Sequence, residues 1–214
     1  MTTELESAPT GFYQHTYLAL LDSFAHPGQF VPLSPAPASL PIGPLGYQAM
    51  IGLALLSRSS SFAAVGSGSE FLADFLSALS GATRVDPAFA DVIFAPGDRD
   101  DLSRYNLPFS TNERAGSSTT LIFGVRSLST LPLSLLDHFL AHLDCTLLVS
   151  LSGSGLPFPR RIGVSGLTPV NLARFLVLNA EHSRGADMVL VDGSGRLLGL
   201  TPATHVAWHD VGHG

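Results

Sequence analysis

The stretch RGADMVLVDGSGRLLGLTPATHV, residues 184–206, contains two apolar runs, 188–191 and 196–200, separated by Asp-Gly-Ser-Gly. Short runs rich in Val and Leu on either side of a glycine turn predict a β-hairpin, because glycine adopts the positive φ that tight turns require. Residues 205–208 are interpreted as an extension of the second strand. The fold is therefore expected to include a sheet with an antiparallel pair.

Upstream of the hairpin, helical and strand patterns alternate through most of the chain. Apolar residues spaced by three and four predict amphipathic helices, and short apolar runs bounded by turn residues predict buried strands. The predicted helices are residues 12–25, 45–56, 70–79, 133–143 and 169–181, and the predicted strands are 61–65, 91–94, 119–125 and 146–151. This alternation predicts an α/β fold with three layers, α/β/α, around a mixed sheet.

Length and composition indicate one globular domain over residues 1–214, with 45% hydrophobic and 13% charged residues. Within this domain we expect residues 1–10 to be flexible and residues 207–214 to form a frayed tail. Residues 31–44 contain five prolines and are expected to form an extended connector. No apolar run reaches the roughly 18 residues needed to span a bilayer, and the first residues lack a basic segment followed by an apolar one. A cytoplasmic protein without membrane contact is expected.

The basic residues exclude several kinds of chemistry. All 11 are arginine, so the chain has no lysine for a Schiff base or for a Walker-type phosphate loop. The net charge of −6 gives little support for nucleic-acid binding. Small anions are compatible with the composition, because arginine binds phosphate with two hydrogen bonds. The single cysteine, Cys145, excludes an internal disulfide and is interpreted as a buried thiol.

Gly66, Ser67 and Gly68 lie between a predicted strand and a predicted helix, where backbone N–H groups can hold a phosphate. The dinucleotide fingerprint requires a third glycine, and this chain has Phe71 at that position. Glu70 also places a negative charge next to the turn. We therefore interpret the segment as a tight turn and keep phosphate binding as the alternative.

The remaining polar groups give weak signals. His138 and His142 share a helical face, and His205, His209 and His213 are spaced by four. The first pair does not complete a ligand set, and the second group lies in strand-like sequence and a glycine-bearing tail, so no metal site is predicted. The acidic turn at 97–101 is interpreted as helix-capping and solvent-facing charges. Arg184 and Asp187 flank the start of the hairpin and follow a helix that contains Asn179. They form either a structural ion pair or a contact to a ligand or subunit.

Five segments of the chain resemble motifs of one known family. Residues 17–29, YLALLDSFAHPGQ, are similar to its opening helix. Residues 112–128 resemble its glycine followed by a buried strand, and 151–156 its L-x-G-P-G-I turn. The segments R-G-A-D-M-V-L-V and T-P-A-T-H-V, at 184–191 and 201–206, resemble P-x-G-[IV]-D-x-x-L and P-R-T-T. The family that these segments resemble is PhnH, whose members are subunits of the bacterial carbon–phosphorus lyase core complex. Ser183 replaces a frequent proline, Ala203 replaces the arginine of P-R-T-T, and residues around 130–145 resemble an insertion.

The resemblance implies a fold similar to pyridoxal-phosphate-dependent transferases, without the cofactor. It implies that the chain, with companion subunits, supports formation of ribose 1-phosphonate 5-triphosphate from ATP and a phosphonate, without independent activity, and that it is a homodimer when isolated. The residues predicted to contact a ligand or subunit are Asn179, Arg184, Asp187, Thr204 and His205. The alternative is a stand-alone enzyme that binds a nucleotide or phosphate at the Gly66–Gly68 turn.

Overall fold

The computed structural model describes residues 10–105, 107, 119–131, 147–153, 155–181 and 185–210. Within these ranges the chain forms four α-helices, which are α1 (Thr10–Ala25), α2 (Pro44–Leu55), α3 (Ser69–Ser80) and α4 (Pro169–Glu181). It also forms eleven strands: β1 (Val31–Pro32), β2 (Ser61–Ala64), β3 (Thr83–Arg84), β4 (Val92–Pro96), β5 (Thr119–Gly124), β6 (Ser127–Leu131), β7 (Leu147–Gly153), β8 (Arg160–Ser165), β9 (Ala186–Val191), β10 (Arg196–Leu200) and β11 (Thr204–Asp210).

The larger sheet has seven strands in the order β1-β10-β9-β5-β4-β2-β3. The strands from β9 to β3 are parallel, whereas β10 runs antiparallel to both β9 and β1. The predicted hairpin is β9–β10, and Gly195 in its turn has a φ of +81°. The α/β class and the mixed sheet predicted from the sequence are confirmed. The likeness to pyridoxal-phosphate-dependent transferases stays a prediction.

One face of this sheet is covered by α1, α2 and α3. The sheet contributes Phe62, Phe94, Ile122 and Val189 to a buried cluster, together with Leu20, Met50, Ile51, Leu72 and Leu76 of the helices. The rings of Phe62 and Phe94 meet edge to face, with centroids 6.3 Å apart. Each fully buried side chain of this size contributes about 1.5–3 kcal/mol to folding, so the cluster fixes the three helices on the strands.

The opposite face of the larger sheet carries α4 and a second sheet. The sequence patterns did not predict this second sheet. This sheet is antiparallel in the order β11-β7-β8-β6. Its inward side chains, including Leu128, Val149 and Val164, pack in one cluster with Phe123 of the larger sheet and Phe175 of α4. Strands β6 and β8 escaped prediction because SLSTL and RRIGVS lack the continuous apolar run of a fully buried strand.

The prediction that residues 205–208 extend the second hairpin strand is wrong. They belong to β11, which pairs with β7 of the second sheet. Pro202, which has no N–H to donate, and a turn closed by Thr204 N to Thr201 O, at 2.9 Å, separate β11 from β10. Strand β11 also covers residues 207–210 of the predicted frayed tail, whereas 211–214 lie outside the described residues.

Other predictions fall outside the described ranges: the first nine residues, the helix at 133–143, Cys145 and Arg184. The proline-rich connector begins with β1 against β10, and the Leu33 N–H donates to Gly195 O at 2.8 Å. In the parts of the chain that the structure describes, no helix combines the length and apolarity needed to cross a membrane.

Candidate functional site

A cleft of about 310 Å³ opens where β2, β4 and β5 end. These strands are parallel, so their carboxyl ends meet at one edge of the sheet, which is where α/β proteins usually bind ligands. The walls are apolar, with contributions from Leu45, Val65, Leu72, Phe94 and Val125. The polar lining side chains are those of Gln48, Ser67, Ser69, Asp98 and Arg126. The cleft therefore combines apolar walls with a few polar groups, as small-molecule sites do.

Two helices begin at the cleft. Pro44 and Leu45 of α2 and Ser69 of α3 line it, and each helix is 12 residues long. The residues that precede them, Gly43 and Gly68, are glycines and offer no side chain to cap the first backbone N–H groups. The amino end of a helix carries a partial positive charge, so both helices favour negative charge in the cleft.

Gln48 connects α2 to the ends of two strands. Its side-chain Nε2 donates to Ala95 O at 2.9 Å and to Ile122 O at 3.0 Å, and only 4% of the residue is exposed. These two carbonyl acceptors fix which end of the amide carries the hydrogens. Gln48 lines the cleft, and its Oε1 lies 3.2 Å from the position that a Cβ on Gly124, another lining residue, would occupy.

Glu70, in the first turn of α3, does not contribute its charge to the cleft lining. Its carboxylate pairs with Arg84 of β3 through two hydrogen bonds of 2.7 and 2.9 Å. The hydrogen bonds and the positive charge of Arg84 lower the pKa of Glu70. The expected repulsion between Glu70 and an anion at the Gly66–Gly68 turn is therefore offset by an arginine at the edge of the sheet.

Arg126 and Asp98 are the charged side chains among the lining residues of the described chain. Arg126 follows β5, and its backbone N–H donates to Ser165 O at 2.8 Å, which fixes the loop against β8. Asp98 follows β4 in the acidic turn. The sequence interpretation of this turn as capping and solvent-facing charge is incomplete, because Asp98 borders the cleft as well as being exposed.

The loop that carries Asp98 is held by Asn171 of α4. The Asn171 side chain is fully buried, and its Nδ2 donates to Gly97 O and to Arg99 O, both at 2.9 Å. These carbonyls belong to the residues on either side of Asp98. Since α4 begins at Pro169, as predicted, and Thr168 Oγ1 accepts the Asn171 N–H at 3.3 Å, the start of α4 positions this side of the cleft.

Asp192 in the hairpin turn positions the other side of the cleft. Only 1% of the residue is exposed, and its carboxylate accepts hydrogen bonds from the backbone of Leu128, Ser194 and Arg196. The bond from the Leu128 N–H, at 3.1 Å, ties the hairpin to β6, two residues after Arg126. Burial alone would raise the pKa of Asp192, but the hydrogen bonds from Ser194, Arg196 and Leu128 outweigh it and lower the pKa.

A family model described as bacterial phosphonate metabolism protein (PhnH) matches residues 7–207 of the 214. The chain belongs to the PhnH family. The match spans every segment on which the resemblance rests. Membership of this family indicates a role in bacterial phosphonate metabolism. No curated protein matches the chain.

Of the predicted contact residues, Asn179, Asp187, Thr204 and His205 are described, and they lie away from the cleft, around the amino end of β9. Asn179 Oδ1 accepts the Ala186 N–H at 2.6 Å, and a Cβ on Gly185 would lie 2.7 Å from Pro202. The end of α4, the start of β9 and the turn before β11 therefore meet there. Strand β9 has six residues, so this end is about 17 Å from the carboxyl end.

Within this group the observed bonds are structural. Asn179 stabilises the start of β9, and Thr204 is buried in the turn with Thr201. Burial raises the pKa of Asp187, whereas His205 is exposed on β11. Because Arg184 lies outside the described residues, its pairing with Asp187 stays a prediction, and so does a contact of this PhnH segment with a ligand or subunit.

Sequence reasoning missed Arg126, Gln48 and Asn171 as residues of the cleft or its supports. Arg126 comes directly after a strand that was predicted, so its position at a carboxyl end was a usable signal. Gln48 gave a weaker signal, because it is a polar residue within the apolar helical segment YQAMIG. Asn171 gave none, because its bonds reach back more than 70 residues along the chain.

Proposed function

We propose that the chain is a subunit of the carbon–phosphorus lyase core complex. In this role it supports the formation of ribose 1-phosphonate 5-triphosphate from ATP and a phosphonate, together with companion subunits in the cytoplasm. The observation that carries the proposal is the PhnH family match over residues 7–207. The proposal includes no cofactor and a homodimer as the isolated form.

The charges of the cleft favour a role that depends on other subunits. Displacement at the anomeric carbon of ribose passes through a centre with oxocarbenium character, and the phosphate and phosphonate groups bring several negative charges. The lining residues that the structure describes offer Arg126 and Asp98, and the chain has no lysine. One arginine among the described lining residues is too little to neutralise a triphosphate and a phosphonate, which supports a role for companion subunits in supplying further cationic groups.

Exposed apolar residues on α1 support a subunit contact. Tyr17, Leu18 and Leu21 are 43%, 54% and 47% exposed, and all three lie within the first segment of the PhnH resemblance. Apolar side chains grouped on one exposed helix face are typical of surfaces that bind another protein. We assign this face of α1 to the contact with a companion subunit.

Co-purification tests this assignment. We expect the tagged chain, expressed with the companion subunits, to retain them through size-exclusion chromatography. A variant with Leu18→Asp and Leu21→Asp should lose them, because burial of two new carboxylates at an interface is unfavourable. Phe89→Asp, at a residue that is 59% exposed outside α1, is the matched control and should retain them. Elution of the wild-type chain alone would contradict the subunit proposal, and retention by the double variant would contradict the contact through α1.

A further inference from the structure

The cleft at the carboxyl ends of β2, β4 and β5 has hydrogen-bond donors and acceptors in separate places. Its donors are the guanidinium of Arg126 and the backbone N–H groups of Leu45 in α2 and of Glu70 and Phe71 in α3. Pro44 has no N–H, and the N–H groups of Gly46 and Ser69 donate to Gly43 O and Gly66 O. A guanidinium and helix amino ends together favour a phosphoryl group, whose oxygens accept several charge-assisted bonds at once. The pairing of Glu70 with Arg84 offsets the negative charge in the first turn of α3.

The acceptors of the cleft are the Asp98 carboxylate and Gln48 Oε1. The Nε2 of Gln48 is used by two backbone carbonyls, so the amide offers the cleft its oxygen. The backbone on either side of Asp98 is held by the bonds of Asn171 to both neighbouring carbonyls. These oxygens disfavour a bare anion, which they repel, and favour a ligand with hydroxyl groups to donate.

The volume and the walls limit the ligand further. A cleft of about 310 Å³ lies at the lower end of the range for small-molecule sites. The apolar side chains of Val65, Leu72 and Phe94 can pack against the carbon atoms of a small ligand. A molecule with one phosphoryl group and a short hydroxylated carbon skeleton satisfies the donors, the acceptors and the walls together.

We propose that this cleft binds a small hydroxylated phosphate monoester, with the phosphoryl group at Arg126 and the amino ends of α2 and α3, and with hydroxyl groups at Asp98 and Gln48 Oε1. The inference deepens the proposed function, on which it rests for its biological role, by giving the chain a ligand of its own. The binding measurement needs no companion subunit. Its failure therefore leaves the subunit contact untouched, and failure of co-purification leaves the binding untouched.

Isothermal titration calorimetry of the full chain with three probes tests the proposal. We expect ribose 5-phosphate to bind more tightly than inorganic phosphate and ribose not to bind detectably. Arg126→Gln should weaken the binding of ribose 5-phosphate about ten-fold or more, because a charge-assisted hydrogen bond is lost. Arg58→Gln is the matched control, since Arg58 is exposed in the loop after the far end of α2. This variant should bind ribose 5-phosphate with the affinity of the wild type.

Asp98→Asn separates the two halves of the site. Without the carboxylate, inorganic phosphate should bind several-fold more tightly, and the preference for ribose 5-phosphate over phosphate should fall. Circular dichroism of each variant confirms that it is folded. The proposal is overturned if ribose 5-phosphate does not bind the wild type at millimolar concentration, if Arg58→Gln weakens binding as much as Arg126→Gln, or if Asp98→Asn leaves the preference unchanged.

Discussion

Replacement of Asp192 by alanine is expected to lower the free energy of unfolding by about 3 kcal/mol, because a buried N–H group that loses its acceptor costs about 1–3 kcal/mol. The carboxylate accepts from the backbone of Leu128, Ser194 and Arg196, and Arg196 Nε adds an ion pair at 2.9 Å. Urea denaturation measures the change. Ser194→Ala, which removes one hydroxyl donor and leaves the backbone bonds, should cost less than about 1 kcal/mol. Equal losses in the two variants would contradict the role of Asp192.

The same carboxylate predicts a pH dependence of stability. Its pKa is lowered in the folded chain relative to the ordinary value of about 3.9. The unfolded chain therefore takes up the proton first as the pH falls, and stability that is present above about pH 5 is lost as the pH falls towards the folded-state pKa. Asp192→Asn cannot ionise, so its unfolding free energy should fall less steeply over this range. Identical slopes for variant and wild type would show that Asp192 is not the group responsible.

Replacement of Asn171 by alanine is expected to lower the unfolding free energy by about 2–3 kcal/mol. The Nδ2 group is the donor to Gly97 O and Arg99 O, whereas Oδ1 has no hydrogen-bond partner among the described residues. The cost comes from the loss of both bonds: Arg99 O loses its side-chain donor, whereas Gly97 O keeps the Thr168 N–H at 2.9 Å. Because these carbonyls flank Asp98, the variant should also bind ribose 5-phosphate more weakly.

Val170→Ala is the control for Asn171→Ala, because Val170 is the neighbouring residue of α4 and is 40% exposed. It should change the unfolding free energy by less than about 0.5 kcal/mol. If denaturation showed the same stability for both variants, the bonds of Asn171 would not hold the acidic loop.

The sequence was most informative where local patterns determine structure. The β9–β10 hairpin follows from two apolar runs around a glycine turn, and α4 begins at Pro169 because a capping hydroxyl precedes it. The second sheet could not be read in the same way. The composition of β11 predicts a strand but does not show whether that strand extends β10 or pairs with β7. The pairing with β7 depends on a turn at Pro202 and on a partner more than 50 residues away along the chain.

The cleft depended still more on the fold. Gln48, Asp98 and Arg126 come from three separate segments and meet because β4 and β5 are parallel neighbours beneath α2. Strand order is not written in any local pattern, so the sequence identified only the Gly66–Gly68 turn on this edge. The contact residues predicted from the sequence, as far as they are described, lie instead around the amino end of β9, where the observed bonds of Asn179 and Thr204 are structural.

Phosphorus-31 NMR of a reconstituted mixture tests the proposed function most directly. The mixture contains ATP, methylphosphonate and the companion subunits, with or without this chain. We expect the phosphorus signals of a ribose phosphonate 5-triphosphate, and free adenine by liquid chromatography of the same sample, only when the chain and its companions are both present, and neither product with the chain alone. Product formation by the isolated chain, or by the companions without it, would contradict the proposal.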